Sequence, residues 1–507
     1  MVSTTIHERG MTRTASLSRR QLLRGATVIA VGGASALLTA CGESALTAED
    51  GSTPSPSPAA PTSAPATAAA ATQAPTPPTA SPTPPTATRV DMLPRATVAP
   101  TTPAPTAAPT TPPATPAPSP TATPIQAADV VLADGAITLP GSVVARREPR
   151  LIAPESHHRG QIEIWRSGGW QTNFDLSVVS YGEILSGGVP RDGIPPIDAP
   201  TFVAAPEADA WLDDREPVVV FGANGETRAY PLQILTWHEI ANDVVGGRPV
   251  AVTFCPLCNS ALVFDREVLG ATMRFGVSGN LRNSDLIMWD DLTETWWQQL
   301  TGEGIVGDLA GYFLDPLPSQ LIGYGEFKAS FPNGMVLGRD TGFRRDYGRN
   351  PYPGYDAARG SPFLFRGELD DRLRSGERVV AIEIGGEAVA YAFTHLQSVG
   401  VVNDVVGGLP VVVFWSPETA SALDARAIAD AKAVGSGVAF GREVAGRTLT
   451  FEPGDGAFTD RETGSTWSIA GEAVAGALEG IQLPPVVHAN HFWFAWAAFY
   501  PETRLVK

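Results

Sequence analysis

The chain has 507 residues, and its 53 acidic and 36 basic side chains give a formal net charge of −17. This balance argues against a nucleic-acid partner, because phosphate binding needs a basic face. Between residues 52 and 125 lie 22 of the 46 prolines, so about 380 residues are left to fold. Three cysteines are too few for a disulfide-built secreted scaffold. Those three cysteines therefore need another explanation.

The N-terminus carries two export features. Arg19-Arg20 precede a short apolar segment, as in a twin-arginine export signal, and Leu38-Thr39-Ala40-Cys41 is similar to a bacterial lipoprotein cleavage box. A transmembrane anchor is the alternative, but the apolar run is short and glycine-rich. We interpret residues 1–41 as a twin-arginine lipoprotein signal, with lipid on Cys41. This places the protein on the extracytoplasmic face of the bacterial cytoplasmic membrane, with the membrane as a partner through that lipid.

Residues 42–125 consist mostly of Pro, Thr, Ala and Ser. So few large apolar groups cannot form a packed core, and proline-rich chain favours extended polyproline II. We therefore predict a disordered, semi-rigid stalk that holds the folded part away from the membrane.

An internal repeat organises the rest of the chain. Residues 216–262 align without a gap on residues 377–423, at an offset of 161 positions. The clearest match is Asn242-Asp243-Val244-Val245-Gly246-Gly247 with Asn403-Asp404-Val405-Val406-Gly407-Gly408. We expect a first repeat domain at 126–360 and a degenerate second repeat at 361–507.

Each repeat has the pattern of an α+β, β-rich unit. Apolar positions in 218–221, 251–254 and 262–264 predict short strands, and the spacing of Leu232, Leu235 and Ile240 predicts a helix. A Gly-Gly pair between apolar runs suits a turn that needs positive φ. The expected fold is two copies of a duplicated unit of short strands, with one or two helices each.

The differences between the repeats indicate where chemistry lies. Cys255-Pro256-Leu257-Cys258 aligns with Ser416-Pro417-Glu418-Thr419, and Trp237-His238-Glu239 aligns with Ser398-Val399-Gly400. The shared fold therefore does not need the cysteines or the His-Glu pair. We take Cys255, Cys258, His238 and Glu239 as the candidate catalytic residues, with the His-Glu pair tuning the thiols or relaying protons.

The Cys-x-x-Cys motif has three interpretations. A structural disulfide would close only a short loop and contribute roughly 2 kcal/mol. A redox dithiol would exchange electrons through a thiolate. A copper or zinc site would use Cys255, Cys258 and His238 and need further ligands. The residues after Cys258 resemble a strand, so we expect the motif on a turn between strands and not at a helix N-terminus.

Other polar side chains are candidates for the same site. Arg282, Asn283 and Asp285 suit a small polar ligand or a thiolate, and Trp237 is a further candidate for its lining. The segment 345–352 is a Gly/Pro/Tyr-rich connector, and such loops often cover sites. His488 and His491 would share one face of a helix, but their aromatic neighbours favour a packed core over a metal site.

Several segments of the chain resemble the bacterial and archaeal "domain of unknown function 3179" family. They are Gly187 to Asp198, Trp237 to Ile240, Thr253 to Ala261, Ser284 to Leu286 and Tyr347 to Tyr352. The resemblance covers residues 165–360. Some similar members carry selenocysteine in the cysteine motif, and selenocysteine is nearly always used for redox chemistry. The resemblance therefore implies a thiol-based redox role for Cys255 and Cys258, without assigning the attacking sulfur.

Our leading hypothesis from sequence is a lipid-anchored extracytoplasmic protein with a redox-active dithiol. It would act on a small molecule or protein thiol, on a disulfide or on a peroxide, with no certain cofactor. A copper- or zinc-binding module is the first alternative. A non-enzymatic surface interaction module with a structural disulfide is the second.

Overall fold

A computed structural model describes residues 152–357 and 362–507, which lie in one compact unit. The predicted signal, the stalk and Cys41 fall outside the described residues and stay predictions. Within those two ranges, no helix combines the length and apolar character needed to cross a membrane.

We call the described residues 152–340 the first half and 367–507 the second half, with a connector between them. Sixteen strands and four α-helices lie in the described residues of the first half. The strands are β1 Ile184–Ser186, β2 Phe202–Ala204, β3 Pro217–Ala223, β4 Glu226–Pro231, β5 Ile240–Val245, β6 Arg248–Cys255, β7 Ser260–Asp265, β8 Glu267–Val268, β9 Ala271–Thr272, β10 Phe275–Arg282, β11 Asp285–Asp290, β12 Trp296–Gln298, β13 Gly304–Val306, β14 Pro316–Leu317, β15 Gln320–Gly323 and β16 Met335–Leu337. The helices are α1 Arg159–Ser167, α2 Ala205–Ala208, α3 Leu232–His238 and α4 Tyr324–Ser330.

Thirteen strands and two α-helices lie in the second half, over residues 367–507, all of which the structure describes. The strands are β17 Arg378–Ile384, β18 Glu387–Ala392, β19 Val401–Val406, β20 Leu409–Ser416, β21 Ser436–Gly441, β22 Glu443–Val444, β23 Arg447–Thr448, β24 Phe451–Pro453, β25 Phe458–Asp460, β26 Thr466–Trp467, β27 Ala473–Ala475, β28 His488–Phe492 and β29 Arg504–Val506. The helices are α5 Phe393–Val399 and α6 Trp493–Phe499. The expected β-rich α+β class is confirmed.

The strands of the two halves form separate sheets. In the first half the orders are β14-β7-β6-β5, β15-β3-β4-β16-β2 and β1-β10-β11-β12-β13, with a β8-β9 hairpin. In the second half they are β19-β20-β21, β28-β17-β18-β29 and β24-β25-β26-β27, with a β22-β23 hairpin. The order of sheets is similar in the two halves. The pairing of β14 with Phe264 in the first half is matched in the second half by an isolated antiparallel bridge between Phe440 and Pro485.

The sheet that carries the cysteine motif follows directly from local sequence. Strands β5 and β6 are antiparallel and joined by Gly246-Gly247, with φ angles of 54° and 83°. A Cβ at Gly246 would lie 2.1 Å from the carbonyl oxygen of Ala223, so only glycine fits this turn. From Val250 to its end β6 is buried, as expected for a strand covered on both faces.

The main hydrophobic core contains residues of both halves. Phe254, Val263 and Phe264 of the first half belong to the same buried cluster as Phe492 and Trp493 of the second. The two halves therefore bury apolar surface against each other.

An equivalent buried aspartate closes a turn in each half. Asp290 Oδ2 accepts hydrogen bonds from Trp297 Nε1 at 2.9 Å and Thr293 Oγ1 at 2.8 Å. Asp460 Oδ2 accepts the same pair from Trp467 Nε1 at 2.9 Å and Thr463 Oγ1 at 2.8 Å. Each aspartate therefore accepts a hydrogen bond from a buried tryptophan indole and also stabilises the turn that follows it.

We expect Asp290→Ala and Asp460→Ala each to lower the free energy of unfolding by about 2–3 kcal/mol, because buried donors lose their acceptor. Urea unfolding of the full chain measures the change. Asp455 is exposed and serves as the control, and its alanine variant should change stability by less than about 0.5 kcal/mol. A loss below 1 kcal/mol in either buried-aspartate variant would contradict the expectation.

Candidate functional site

The cysteine motif lies on a turn between antiparallel strands, as the sequence predicts. Strand β6 ends at Cys255, residues Pro256–Cys258 form a single 3-10 turn, and β7 begins at Ser260. Asn259 connects them with a left-handed backbone, φ 49°, a conformation that asparagine tolerates well. The short turn brings the two cysteines to the same end of the sheet.

Both cysteines are free thiols and are buried, with exposed fractions of 1% for Cys255 and 0% for Cys258. Cys255 Sγ lies 3.8 Å from the carbonyl oxygen of Ser284. Burial raises the pKa of both thiols, and neighbouring acidic groups raise it further. The resting state of the pair is therefore protonated at neutral pH.

Asp285 completes a three-residue cluster with the two cysteines. One carboxylate oxygen and the two Sγ atoms all lie within 4.8 Å of one another, and all three residues are buried. Asp285 Oδ2 accepts hydrogen bonds from Gln298 Nε2 at 2.6 Å and from the Leu300 amide at 2.9 Å. No nitrogen or oxygen donor among the described residues reaches its Oδ1. The Cys255 and Cys258 thiols hydrogen-bond to this carboxyl and lower its pKa, against the larger effect of burial. We call Cys255, Cys258 and Asp285 the thiol-carboxylate cluster.

Glu239 adds a second buried carboxyl to this region. It follows the last residue of α3 and adopts a left-handed backbone, φ 60°, which ends the helix. Burial, with a contribution from Asp285, raises the pKa of Glu239 to about 8, and burial raises the pKa of Asp285 to about 6. Among the described residues, no lysine, arginine or histidine forms an ion pair or hydrogen bond with either carboxyl. The two acids therefore lack a cation.

Both ring nitrogens of His238 contact residues outside the thiol-carboxylate cluster. Its Nδ1 lies 2.7 Å from the carbonyl oxygen of Pro195, so that nitrogen carries the proton and donates. Its Nε2 lies 2.6 Å from the hydroxyl of Tyr347, which donates to it. Burial lowers the pKa of His238 and favours this neutral form. With both nitrogens occupied, His238 is not a member of the thiol-carboxylate cluster.

The other residues that the sequence predicts for this site have partners outside the thiol-carboxylate cluster. Arg282 pairs with Glu183, with Nε to Oε2 at 2.7 Å. Asn283, with φ 52°, forms the turn between β10 and β11 together with Ser284. Trp237 donates from Nε1 to the carbonyl oxygen of Arg349 at 3.1 Å. These contacts position the surrounding loops, and Asp285 alone of the predicted binding residues belongs to the cluster.

The connector between the halves covers the cluster. We use this name for residues 341–357 and 362–366. Tyr352 interacts electrostatically with Cys255 and Glu239, and Tyr355 with both thiols. Ser284 Oγ donates to the carbonyl oxygen of Phe363. Tyr352, Tyr355 and Phe365 of the connector also pack against the buried apolar cluster that contains both cysteines.

The second half anchors the connector through Asp356. The side chain of Asp356 is fully buried and pairs with Arg378 at 3.1 Å and with Lys432 at 3.2 Å. Ser421 Oγ also donates to it, at 2.6 Å. Ser421 lies in the loop after β20, and at the repeat offset it aligns with Ser260, which directly follows the cysteine turn. The cysteine-free loop therefore holds the segment that covers the cysteines.

Tyr352, Tyr355 and Ser284 are site residues that the sequence analysis did not assign. Tyr352 and Ser284 lie within segments that carry the family resemblance, so that resemblance could have identified them as site residues. Tyr355 lies almost a hundred residues beyond the cysteines, so only tertiary packing reveals its place.

The fold and this geometry define a β-rich protein with a buried, acidic dithiol site beneath an inter-half connector. The chain belongs to the family described as "Protein of unknown function (DUF3179)", which matches residues 191–503. The match extends through the second half, beyond the range 165–360 over which the motifs show the resemblance. No curated protein and no solved structure matches the chain.

Proposed function

We propose that the thiol-carboxylate cluster binds a divalent transition metal ion, and that zinc fits it best. The observation that carries this proposal is the cluster itself: the two Sγ atoms and one carboxylate oxygen of Asp285 lie within 4.8 Å of one another, and all three residues are buried. Buried charges in proteins are paired or coordinate metals. A cation at this point would satisfy the oxygen and both sulfurs.

The donor set favours zinc over copper. Zinc takes thiolate sulfur at about 2.3 Å and carboxylate oxygen at about 2.0–2.2 Å, commonly with four ligands. Copper(I) is selected by soft thiolate and thioether ligands, so the carboxylate oxygen in this set favours zinc. Glu239, which interacts electrostatically with Cys255 and Asp285, is a candidate fourth donor. Binding would release the two thiol protons, and the two thiolates would balance the 2+ charge of the ion. An ionised Asp285 would then leave one net negative charge at the site, which the hydrogen bonds from Gln298 and the Leu300 amide stabilise.

Metal analysis of the full-length protein tests this proposal, with Cys258→Ser and Asp285→Asn as site variants. His238 is not among the proposed ligands, because both of its ring nitrogens have partners. The site therefore differs from the Cys255, Cys258 and His238 set expected from sequence.

A redox dithiol at the same cysteines is the second candidate. It is supported by two adjacent free thiols beside Asp285, whose pKa of about 6 leaves it largely ionised at neutral pH and able to accept a thiol proton. Glu239, with a pKa of about 8, is largely protonated at that pH. The raised thiol pKa values weigh against it, because the thiolate is the nucleophile. The connector would also have to move before a disulfide substrate reached either sulfur.

Equilibration of the metal-free protein in defined thiol buffers tests the redox candidate. We expect a Cys255–Cys258 disulfide with a reduction potential above about −300 mV, the limit below which structural disulfides fall. Alkylation and mass analysis would count the two forms. A more reducing potential, or no disulfide under any buffer, would exclude this candidate.

We further infer that the two halves arose as copies of one unit. The ungapped match of 216–262 with 377–423 supports this, as do the equivalent turns of Asp290 and Asp460. In this proposal the second copy has lost the cysteines and acts as the anchor of the connector.

Export and lipid attachment remain proposals from the N-terminal sequence. We expect Cys41→Ser to move the protein from the membrane to the soluble fraction in a bacterial host, because the lipid would be its anchor. Replacing Arg19 and Arg20 by lysine should retain an uncleaved precursor inside the cell. Cell fractionation and the mass of the mature N-terminus measure both effects. Unchanged membrane partition of Cys41→Ser would argue against lipidation.

A further inference from the structure

Glu155, His157 and His158 form a second group of metal-ligating side chains, at the start of the first half. The two histidines lie on the 3-10 turn Ser156–His158, directly ahead of α1, and Glu155 precedes that turn. One carboxylate oxygen and one nitrogen from each ring all lie within 4.8 Å of one another. We call these three residues the histidine-glutamate cluster. Unlike the thiol-carboxylate cluster, it contains no sulfur.

The spacing of the donor atoms is close to that of a tetrahedral metal site. Glu155 Oε2 lies 2.9 Å from His157 Nε2 and 3.8 Å from His158 Nδ1. Around an ion with bonds of about 2.0–2.2 Å, neighbouring ligand atoms are about 3.3–3.6 Å apart. The Glu155 and His157 side chains are 51% and 68% exposed, so small rotations can bring both to that spacing. An ion can therefore enter between them from the solvent side.

His158 is the fixed member of the histidine-glutamate cluster. Its side chain is 13% exposed and packs beside Gly182, where a Cβ would lie 3.1 Å from Nε2. Its Nδ1 is buried and has no hydrogen-bond partner among the described residues. Two of the groups beside Nδ1 are the other proposed donors, since the Glu155 oxygen lies 3.8 Å away and the His157 ring centre lies 4.0 Å from the His158 ring centre. An ion held by those two side chains would reach Nδ1 without a change in the fold.

His488 and His491, the other closely spaced histidines, do not form such a group. They lie on β28 and not on a helix, which corrects the helical placement expected from the His-x-x-His spacing. Burial lowers the pKa of His488 to about 4 and that of His491 to about 3, so both rings are neutral at neutral pH. The core placement expected from sequence agrees with their burial. Among the described residues, neither lies in a group of three metal-ligating side chains.

We propose that the histidine-glutamate cluster is a surface site for a borderline divalent metal ion, with zinc as the ion that suits it best. Imidazole nitrogen suits zinc, copper and nickel. Two histidines with one glutamate are a donor set that zinc accepts, with water as the fourth ligand. The bound ion would tie the turn to the residue before it and so fix the entry to α1. This site does not depend on the thiol-carboxylate cluster.

Zinc titration of the full-length Cys258→Ser protein by calorimetry tests the proposal, because this variant lacks one ligand of the thiol-carboxylate cluster. We expect one zinc ion per chain with a dissociation constant in the micromolar range, since the site is open and has three protein ligands. Cobalt at this site should absorb without a thiolate charge-transfer band, because no sulfur is bound. A failure of the thiol-carboxylate proposal would leave this result unchanged.

Variants of the exposed ligands complete the test. His157→Ala and Glu155→Gln, each in the Cys258→Ser protein, should raise the dissociation constant about tenfold or more, because one of three ligands is lost. Both side chains are largely exposed, so both variants should fold. His395→Ala is the control, since His395 lies on α5 outside the cluster, and it should keep the affinity of the parent protein.

Two results would overturn the proposal. One is the absence of saturable zinc binding to the Cys258→Ser protein. The other is zinc binding that His157→Ala leaves unchanged. In either case the three side chains would form only a surface ion pair between Glu155 and His157.

Discussion

Zinc should co-purify with the full-length protein at about one ion per chain, and Cys258→Ser should reduce this to about a tenth or less. The physical reason is the loss of one of two thiolate ligands in a site with few donors. Asp285→Asn should also reduce occupancy, because the amide keeps the shape of the side chain but not its charge. Inductively coupled plasma mass spectrometry gives the metal content. Cobalt substitution should add thiolate charge-transfer absorption, which Cys258→Ser should abolish.

Cys41→Ser is the matched control for this experiment. It removes a cysteine outside the described residues and should leave metal content unchanged. Zinc should also stabilise the protein against heat, since a ligand at a hundred times its dissociation constant contributes about 2.7 kcal/mol. Metal-free protein that neither gains zinc on addition nor changes its melting temperature would exclude the metal centre. It would leave the dithiol as the better candidate.

Asp356→Ala should expose the cysteines and destabilise the fold. Asp356 is fully buried, and its removal leaves the guanidinium of Arg378, 90% buried, without its acidic partner. Breaking a buried ion pair in this way costs about 3–5 kcal/mol. The connector would also lose its attachment to Ser421 and Lys432. We therefore expect faster modification of Cys255 and Cys258 by a thiol reagent under native conditions.

Asp346→Ala is the control within the same connector. Asp346 pairs with Arg349 at 3.4 Å on the surface, where an ion pair contributes about 0–1 kcal/mol. Its variant should keep the wild-type labelling rate and melting temperature. Peptide mapping after labelling separates the buried cysteines from Cys41. If Asp356→Ala labels no faster than Asp346→Ala, the connector is not what protects the sulfurs.

Much of the first-half sheet that carries the cysteine motif could be predicted from the sequence. Alternating apolar residues predict β3, β6 and β7, and Gly246-Gly247 predicts the turn between β5 and β6. These features are local, so periodicity and backbone sterics determine them. For the same reason, the position of Cys255 and Cys258 between two strands could be predicted without a structure.

The site itself depends on features that local sequence does not encode. His238 and Glu239 are adjacent, yet the left-handed backbone at Glu239 ends α3 between them and gives them different surroundings. The histidine hydrogen-bonds to Tyr347, whereas burial and the charge of Asp285 raise the pKa of the glutamate. The end of α3 therefore determines that Glu239, and not His238, lies near the thiol-carboxylate cluster. Likewise, the aromatic residues that follow His488 are compatible with a strand or with a helix. Tertiary packing determines which of the two forms.

The core shared between the halves makes each half dependent on the other. Phe492 and Trp493 pack into the cluster that contains Phe254, directly before the cysteine turn. A gene fragment encoding only one half would leave this apolar surface in water, where it favours aggregation. After the ancestral duplication that we infer, loss of the cysteines from one half would therefore not free that half to be deleted. The two halves would therefore be inherited together. The half without cysteines would be retained only because its apolar residues pack against the other half.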